Sequence, residues 1–158
     1  MSTAITHRIP PQRLIDLVNP IVRGALASPL HLMMDKALLV LHVRGRRTGR
    51  VYDIPVGYVM LDGHLMVLTQ HRWRANLRGG DNLDVTHHGV RATMHADLDE
   101  RPASVALTLA RVIDRYGPER AARLLGLGFE HGSPTVDELE EAAREFDLAT
   151  VTLTRVGE

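Results

Sequence analysis

The sequence predicts a single α+β domain in which about six antiparallel strands curl into a small barrel. Three observations support this fold. Short apolar runs alternate with turn signals between residues 37 and 97, helical patterns occupy 11–27 and 102–146, and a strictly alternating segment at 148–156 returns as a final strand. With 158 residues, the chain has the length of one domain, spanning 1–158.

The first half of the chain changes from helical to strand-like periodicity. Apolar residues recur at helical spacing within 11–27, namely Leu14, Leu17, Val18 and Ile21. From residue 37, ALLVLHV predicts a buried strand, and GRRTG then interrupts it. Residues 51–61 predict one long strand, in which Pro55 indicates a sheet edge or a bulge because proline has no N–H for the ladder.

Turn signals define the hairpins that follow. Asp62-Gly63 predicts a tight turn before the returning strand at 64–70. The segment from Trp73 to Leu77 suits one short helical turn, and a second hairpin follows with its turn at Gly89.

The second half is predicted to be mainly helical before the last strand. Residues 102–127 carry an apolar stripe at helical spacing, and Pro118 is expected to begin a second helix within them. Thr135 and Glu138 have the spacing of a capping box, which opens a further helix that reaches about Phe146.

Composition excludes several classes of function. The 19 Lys and Arg residues balance the 19 Asp and Glu residues, so no net positive field attracts nucleic acid. The absence of cysteine excludes disulfides, thiolate metal sites and cysteine nucleophiles. No apolar run is long enough for a membrane span, and no secretion signal is apparent. We therefore expect a cytoplasmic protein with no nucleic-acid partner and no membrane span.

Two segments are candidates for binding chemistry. Residues 44–50 place four arginines beside two glycines and Thr48, a set of donors able to cradle a phosphate or carboxylate. The alternative is a solvated hairpin turn. Residues 69–77 follow a strand and combine amide, indole and cationic side chains, which suits contact with a ligand ring. Here the alternative is that Trp73 anchors the core and Asn76 caps local backbone. The histidine spacings match no metal motif, so no metal is expected.

The order of these motifs resembles the deazaflavin-dependent nitroreductase family. The ordered set is GRRTG, then Pro55, a DG hairpin, WxxNL and a second hairpin with Gly89, and it covers about residues 38–97. Members of that family are small split β-barrels related to the FMN-binding oxidases of pyridoxamine phosphate. The resemblance therefore implies a split antiparallel β-barrel with an N-terminal helix and a helical insertion before the last strand.

The resemblance also implies a cofactor, coenzyme F420, with FMN as the alternative. The implied contacts to its anionic part are Arg46, Arg47, Thr48 and Gly49. The implied contacts to its ring are Pro55, Val56, Thr69, Gln70, His71, Trp73 and Asn76.

The implied activity is transfer of a hydride from reduced F420 to a quinone-like, nitro or enone small molecule. Tyr116 or His71 would stabilise the negative charge that develops on this acceptor. Two alternatives remain: an FMN-dependent reductase, and a non-catalytic module of the same fold. The module would bind an apolar small molecule or a protein partner through the first helix and Met33-Met34. The fold is also compatible with a homodimer. A cofactor is favoured if Arg47 and the Gln70–Trp73 loop face one groove, and the non-catalytic binding module is favoured if they diverge.

Overall fold

The computed structural model describes residues 5–7, 38–129 and 132–156, and it shows an α+β protein built on a curled antiparallel sheet. The predicted helix at 11–27 and the Met33-Met34 pair lie outside these residues. The strands are β1 (Ile5–His7), β2 (Leu38–Arg44), β3 (Val51–Gly57), β4 (Val59–Leu61), β5 (His64–Thr69), β6 (Asp81–His87), β7 (Val90–Asp99), β8 (Leu127–Phe129) and β9 (Ala149–Arg155). The helices are a 3₁₀ helix (Arg72–Leu77), α1 (Pro102–Tyr116), α2 (Pro118–Leu125) and α3 (Val136–Glu145).

The main sheet has seven strands in the order β3-β2-β6-β7-β9-β5-β4. Its two edge strands, β3 and β4, are consecutive in the chain and are separated only by Tyr58. The sheet must therefore curl, because one stretch of chain borders both of its edges. The segment predicted as one strand over 51–61 is thus divided at Tyr58, which is why the sheet has seven strands rather than six. Pro55 lies on an edge strand, as its missing N–H predicts.

Alternating residues of the sheet build an apolar core on its concave side, which we call the inner face. Buried on this face are Leu39, Leu41, Val43, Leu65, Val67, Leu83, Val85, Met94, Ala96, Val151 and Leu153. Ile54, Val56 and Tyr58 pack against this core from the edge segment, and Trp73 does so from the 3₁₀ helix. The apolar residues that alternate with a period of two in the sequence thus form one continuous inner face.

The three α-helices form a second core against the outer face of β4 and β5. Leu109 and Val112 of α1 and Leu139 of α3 are fully buried there, together with Val59, Leu61 and Met66 of the strands. Helix α3 begins with the predicted capping box: Thr135 Oγ1 accepts from the Glu138 N–H at 3.2 Å, and a Glu138 carboxylate oxygen accepts from the Thr135 N–H at 3.0 Å.

The predicted helical segment 102–146 also contains a strand that the sequence analysis missed. Three residues, β8, pair antiparallel with β1 to form a separate two-stranded sheet. Neither strand is long enough to show a period, and their pairing joins residues more than a hundred positions apart. No helix within the described residues is long and apolar enough to cross a membrane.

The adjacent histidines at the β6–β7 turn do not follow the alternation of a strand. In a continuous strand, His87 and His88 would point to opposite faces. Instead, His88 adopts a φ of 51° in the turn, and the two ring centroids lie 3.9 Å apart. The strand ends at His87, so the alternation of side chains between the two faces of the sheet does not extend to His88.

Candidate functional site

The basic turn between β2 and β3 is held by its own backbone. The Gly45 N–H donates to the Arg50 carbonyl at 2.7 Å, and the Gly49 N–H donates to the Gly45 carbonyl at 2.9 Å. Gly49 has a φ of 70°, which a residue with a side chain rarely adopts. The Arg50 N–H donates to Thr48 Oγ1 at 3.2 Å, so the predicted anion-binding segment has a defined conformation.

The 3₁₀ helix Arg72–Leu77 follows β5 as the sequence predicts. Thr69 Oγ1 accepts from the His71 N–H at 3.0 Å, which fixes the entry into the helix. Within the helix, Asn76 Nδ2 donates to the Trp73 carbonyl at 3.0 Å. The Asn76 side chain therefore caps local backbone, as one interpretation of the sequence expects.

The basic turn and the 3₁₀ helix contact each other through Arg46 and Asn76. The Arg46 N–H donates to Asn76 Oδ1 at 3.0 Å, and Arg46 Nε donates to the Asn76 carbonyl at 3.1 Å. The Arg46 guanidinium also donates to the Arg78 carbonyl. Two segments about thirty residues apart in sequence are thus joined by three hydrogen bonds.

An open groove of about 650 Å³ lies beside this contact, and we call it the β3–Trp73 groove. Its size falls within the range of ordinary small-molecule sites. Its lining residues are Arg50, Val51, Tyr52, Asp53, Ile54, Arg72, Trp73 and Asn76. The groove therefore combines two aromatic side chains, two arginines and one carboxylate.

The charges of the groove favour an anion. The Arg50 and Arg72 side chains form no hydrogen bond or ion pair with residues in 5–7, 38–129 or 132–156, whereas Asp53 is engaged. Asp53 Oδ1 lies 2.7 Å from Nδ1 of His42, and the other ring nitrogen of His42 lies 2.8 Å from Thr86 Oγ1. Two free guanidiniums beside one paired carboxylate leave net donor capacity for a carboxylate or phosphate.

A buried arginine fixes the 3₁₀ helix to the rest of the protein. Arg74 is only 6% exposed; its Nε donates to Glu100 Oε1 at 3.0 Å and its Nη1 to the Asp147 carbonyl at 2.7 Å. Arg78 donates to the same Glu100 at 2.9 and 3.1 Å. The hydrogen bond from Arg78 lowers the pKa of Glu100, and Arg74 contributes in the same direction. The wall of the groove that carries Trp73 is therefore rigidly supported.

His71 lies directly before the groove residue Arg72. Partial burial lowers the pKa of His71 from its ordinary value of 6.5, and the nearby Arg74 charge lowers it further. The imidazole is therefore neutral near pH 7, with one N–H donor and one acceptor nitrogen.

Of the residues expected to contact a cofactor, only Trp73 and Asn76 line the groove. Arg46 uses its guanidinium to hold the 3₁₀ helix. Other expected contacts lie near the groove but not among its lining: Arg47, Thr48 and Gly49 in the exposed turn, Pro55 and Val56 further along β3, and Thr69, Gln70 and His71 before the helix. Arg50, Arg72 and Trp73 line the groove, whereas Arg47 does not.

Tyr116 is not brought to this groove. It ends α1, where its hydroxyl donates to the Met60 carbonyl at 2.6 Å and the guanidiniums of Arg115 and Arg120 lie 5.3 and 5.2 Å from the centre of its ring. These contacts join α1 and α2 to β4, the edge strand at the opposite border of the sheet from β3. Its side chain therefore has a structural explanation.

Arg50, Tyr52 and Arg72 line the groove but are not among the contacts that the resemblance implies. Arg50 and Arg72 belong to the candidate segments 44–50 and 69–77, but their common orientation depends on the contact between Arg46 and Asn76. Tyr52 follows from strand alternation only once the register of β3 on β2 is known, with Val43 opposite Tyr52. Within the described part of the chain, no three His, Asp or Glu residues are arranged to hold a metal ion.

In a comparison with known proteins, no protein-family model and no curated protein sequence matches this chain.

Proposed function

We propose that this protein is an oxidoreductase of the split-barrel type that binds coenzyme F420 in the β3–Trp73 groove. One observation carries the proposal: beside the contact between Arg46 and Asn76, one groove holds two aromatic rings and two arginines whose side chains have no partner in the described part of the chain. This combination suits a flat ring system with an anionic tail.

The residues present fit such a group. Arg50 and Arg72 supply forked donors for a phosphate or carboxylate, and guanidiniums form strong charge-assisted hydrogen bonds with both. Trp73 and Tyr52 supply flat apolar surfaces, and Tyr52 is 44% exposed and so available for contact. Ile54 adds an aliphatic side chain to the lining.

In this proposal the protein binds the cofactor, orients it and stabilises the charge that develops on the acceptor. Reduced F420, when bound, supplies a hydride for a quinone-like, nitro or enone acceptor. Arg50 and Arg72 hold the anionic part, while Trp73 and Tyr52 position the ring. Of the two donors that the resemblance implies for negative charge on the acceptor, Tyr116 lies elsewhere, and His71 directly precedes the lining residue Arg72.

Titration of the purified protein with F420 and separately with FMN, followed by cofactor fluorescence, tests the proposal. We expect F420 to bind, and Arg50→Glu or Arg72→Glu to weaken it by about ten- to a hundredfold, since each removes charged hydrogen bonds. Arg123→Glu on α2 is the matched control, with the same charge change outside the groove lining.

Each other outcome has a defined meaning. If FMN binds more tightly than F420, the cofactor assigned to this groove is a flavin instead of a deazaflavin. Failure of both to bind overturns the proposal and favours the non-catalytic module. Equal weakening by all three charge reversals would indicate a general electrostatic effect rather than a clamp at Arg50 and Arg72.

A further inference from the structure

A second pocket lies at the opposite end of the strands from the β3–Trp73 groove. The register of β2 on β3 runs from Arg44 opposite Val51, beside the groove, to Leu38 opposite Gly57 at the other end. On β6, Thr86 pairs with Val40, so the last residues of β6 lie toward that far end. The pocket there has a volume of about 210 Å³.

The floor of this pocket is the apolar core of the curled sheet. Leu65, Val85, Met94 and Leu153 belong to its lining and are each at most 9% exposed. Its rim continues the same inner face toward solvent. The rim residues are Met60, His64, His87, Val90, Ala92 and Arg155. We call this site the sheet mouth.

Arg155 is the residue of the sheet mouth that packing does not explain. Val151, Leu153 and Arg155 alternate along β9, and the first two are buried in the inner core. Alternation therefore places the guanidinium of Arg155 on the face that carries the inner apolar core. Arg155 has no hydrogen bond or ion pair with any residue of the described chain. Among residues 5–7, 38–129 and 132–156 the lining contains no carboxylate, so this part of the chain gives the site a positive charge above an apolar floor.

We propose that the sheet mouth binds a small carboxylic acid with an apolar body. The carboxylate would pair with Arg155, and the apolar body would lie on Leu153 and Met94. A volume of 210 Å³ corresponds to about seven water molecules of liquid, which admits a single six-membered ring and its carboxylate. This site is separate from the β3–Trp73 groove and does not depend on the function proposed there.

Benzoate is the probe, and its isosteric amide, benzamide, is the matched control ligand. Binding is measured by calorimetric titration in a buffer without carboxylates. We expect benzoate to bind about tenfold more tightly than benzamide, because only benzoate forms charged hydrogen bonds with Arg155. Arg155→Gln should reduce the affinity for benzoate to that for benzamide.

Two further variants locate the binding. Ala92→Phe adds a ring at an exposed rim position and should abolish binding, with thermal unfolding measured to show that the variant folds. Arg91→Gln on the same strand is the matched control, because Arg91 pairs with Asp84 outside the pocket, and it should leave the affinity unchanged. No benzoate binding by the wild type, equal binding of benzoate and benzamide, or full affinity in Arg155→Gln or Ala92→Phe would each overturn the proposal.

Discussion

Replacing Arg74 by methionine tests whether the buried guanidinium holds the 3₁₀ helix in place. Arg74 donates to Glu100 Oε1 at 3.0 Å, to the Asp147 carbonyl at 2.7 Å and to Asp147 Oδ1 at 2.8 Å. Methionine fills much of the same volume but makes none of these bonds. The substitution therefore removes the polar contacts while limiting the cavity that it leaves.

The expected loss follows from the exposure of the two partners. Breaking a fully buried ion pair costs about 3–5 kcal/mol. Here the side chains of Glu100 and Asp147 are 30% and 81% exposed, so water can hydrate both once Arg74 is gone. We therefore expect Arg74→Met to lower the free energy of unfolding by about 2 kcal/mol. For a chain of this length, that corresponds to a fall in Tm of about 4–8 °C.

Urea unfolding followed by the fluorescence of Trp73 measures this loss, since Trp73 is the only tryptophan of the chain and directly precedes Arg74. The matched control is Arg78→Met, which removes an exposed partner of the same Glu100. We expect the midpoint to fall clearly in Arg74→Met and much less in Arg78→Met, with the m-value unchanged in both. Equal losses in the two variants would refute the reasoning that burial makes Arg74 the main attachment.

Three further predictions concern separate features. Thr135→Ala should cost about 1 kcal/mol of unfolding free energy by removing the cap of α3, whereas Ser133→Ala, at an exposed position outside the helix, should have no effect in the same thermal melts. The folded state lowers the pKa of His71, so the unfolded state binds more protons on acidification and wild-type stability should fall below about pH 7. In His71→Gln the urea midpoint should fall less over the same pH range. An identical fall in the variant and the wild type would contradict the lowered pKa of His71. Tyr116→Phe should lower the free energy of unfolding by at most about 1 kcal/mol, because water can reach the exposed Met60. It should leave F420 fluorescence titrations unchanged, and weakened F420 binding would show that Tyr116 contributes to the site.

Features determined by neighbouring residues could be predicted from the sequence. Asp62 and Gly63 have φ values of 53° and 79°, so the hairpin turn follows from a dipeptide that tolerates left-handed backbone. The capping box of α3 and the short helix at Trp73 are equally local. Each of these features depends on at most a few consecutive side chains.

Features that depend on distant partners could not be predicted. The role of Arg46 is set by carbonyl groups about thirty residues away, and nothing in the basic turn distinguishes it from Arg47 or Arg50. The pairing of His42 with Asp53 and Thr86 requires the registers of three strands. The β3–Trp73 groove is therefore lined partly by the segments that the sequence singled out, while the individual lining residues became known only from the structure.

Tyr58 also limits how the chain length can change at this position. Ile54, Val56, Tyr58 and Met60 are all even-numbered, and each contributes to the inner face or its open end. One inserted residue beside Tyr58 would invert the inside and outside of β3 relative to β4, exposing apolar side chains along one border. Two inserted residues would preserve the orientation of both. Homologous chains that differ in length here should therefore differ by even numbers of residues.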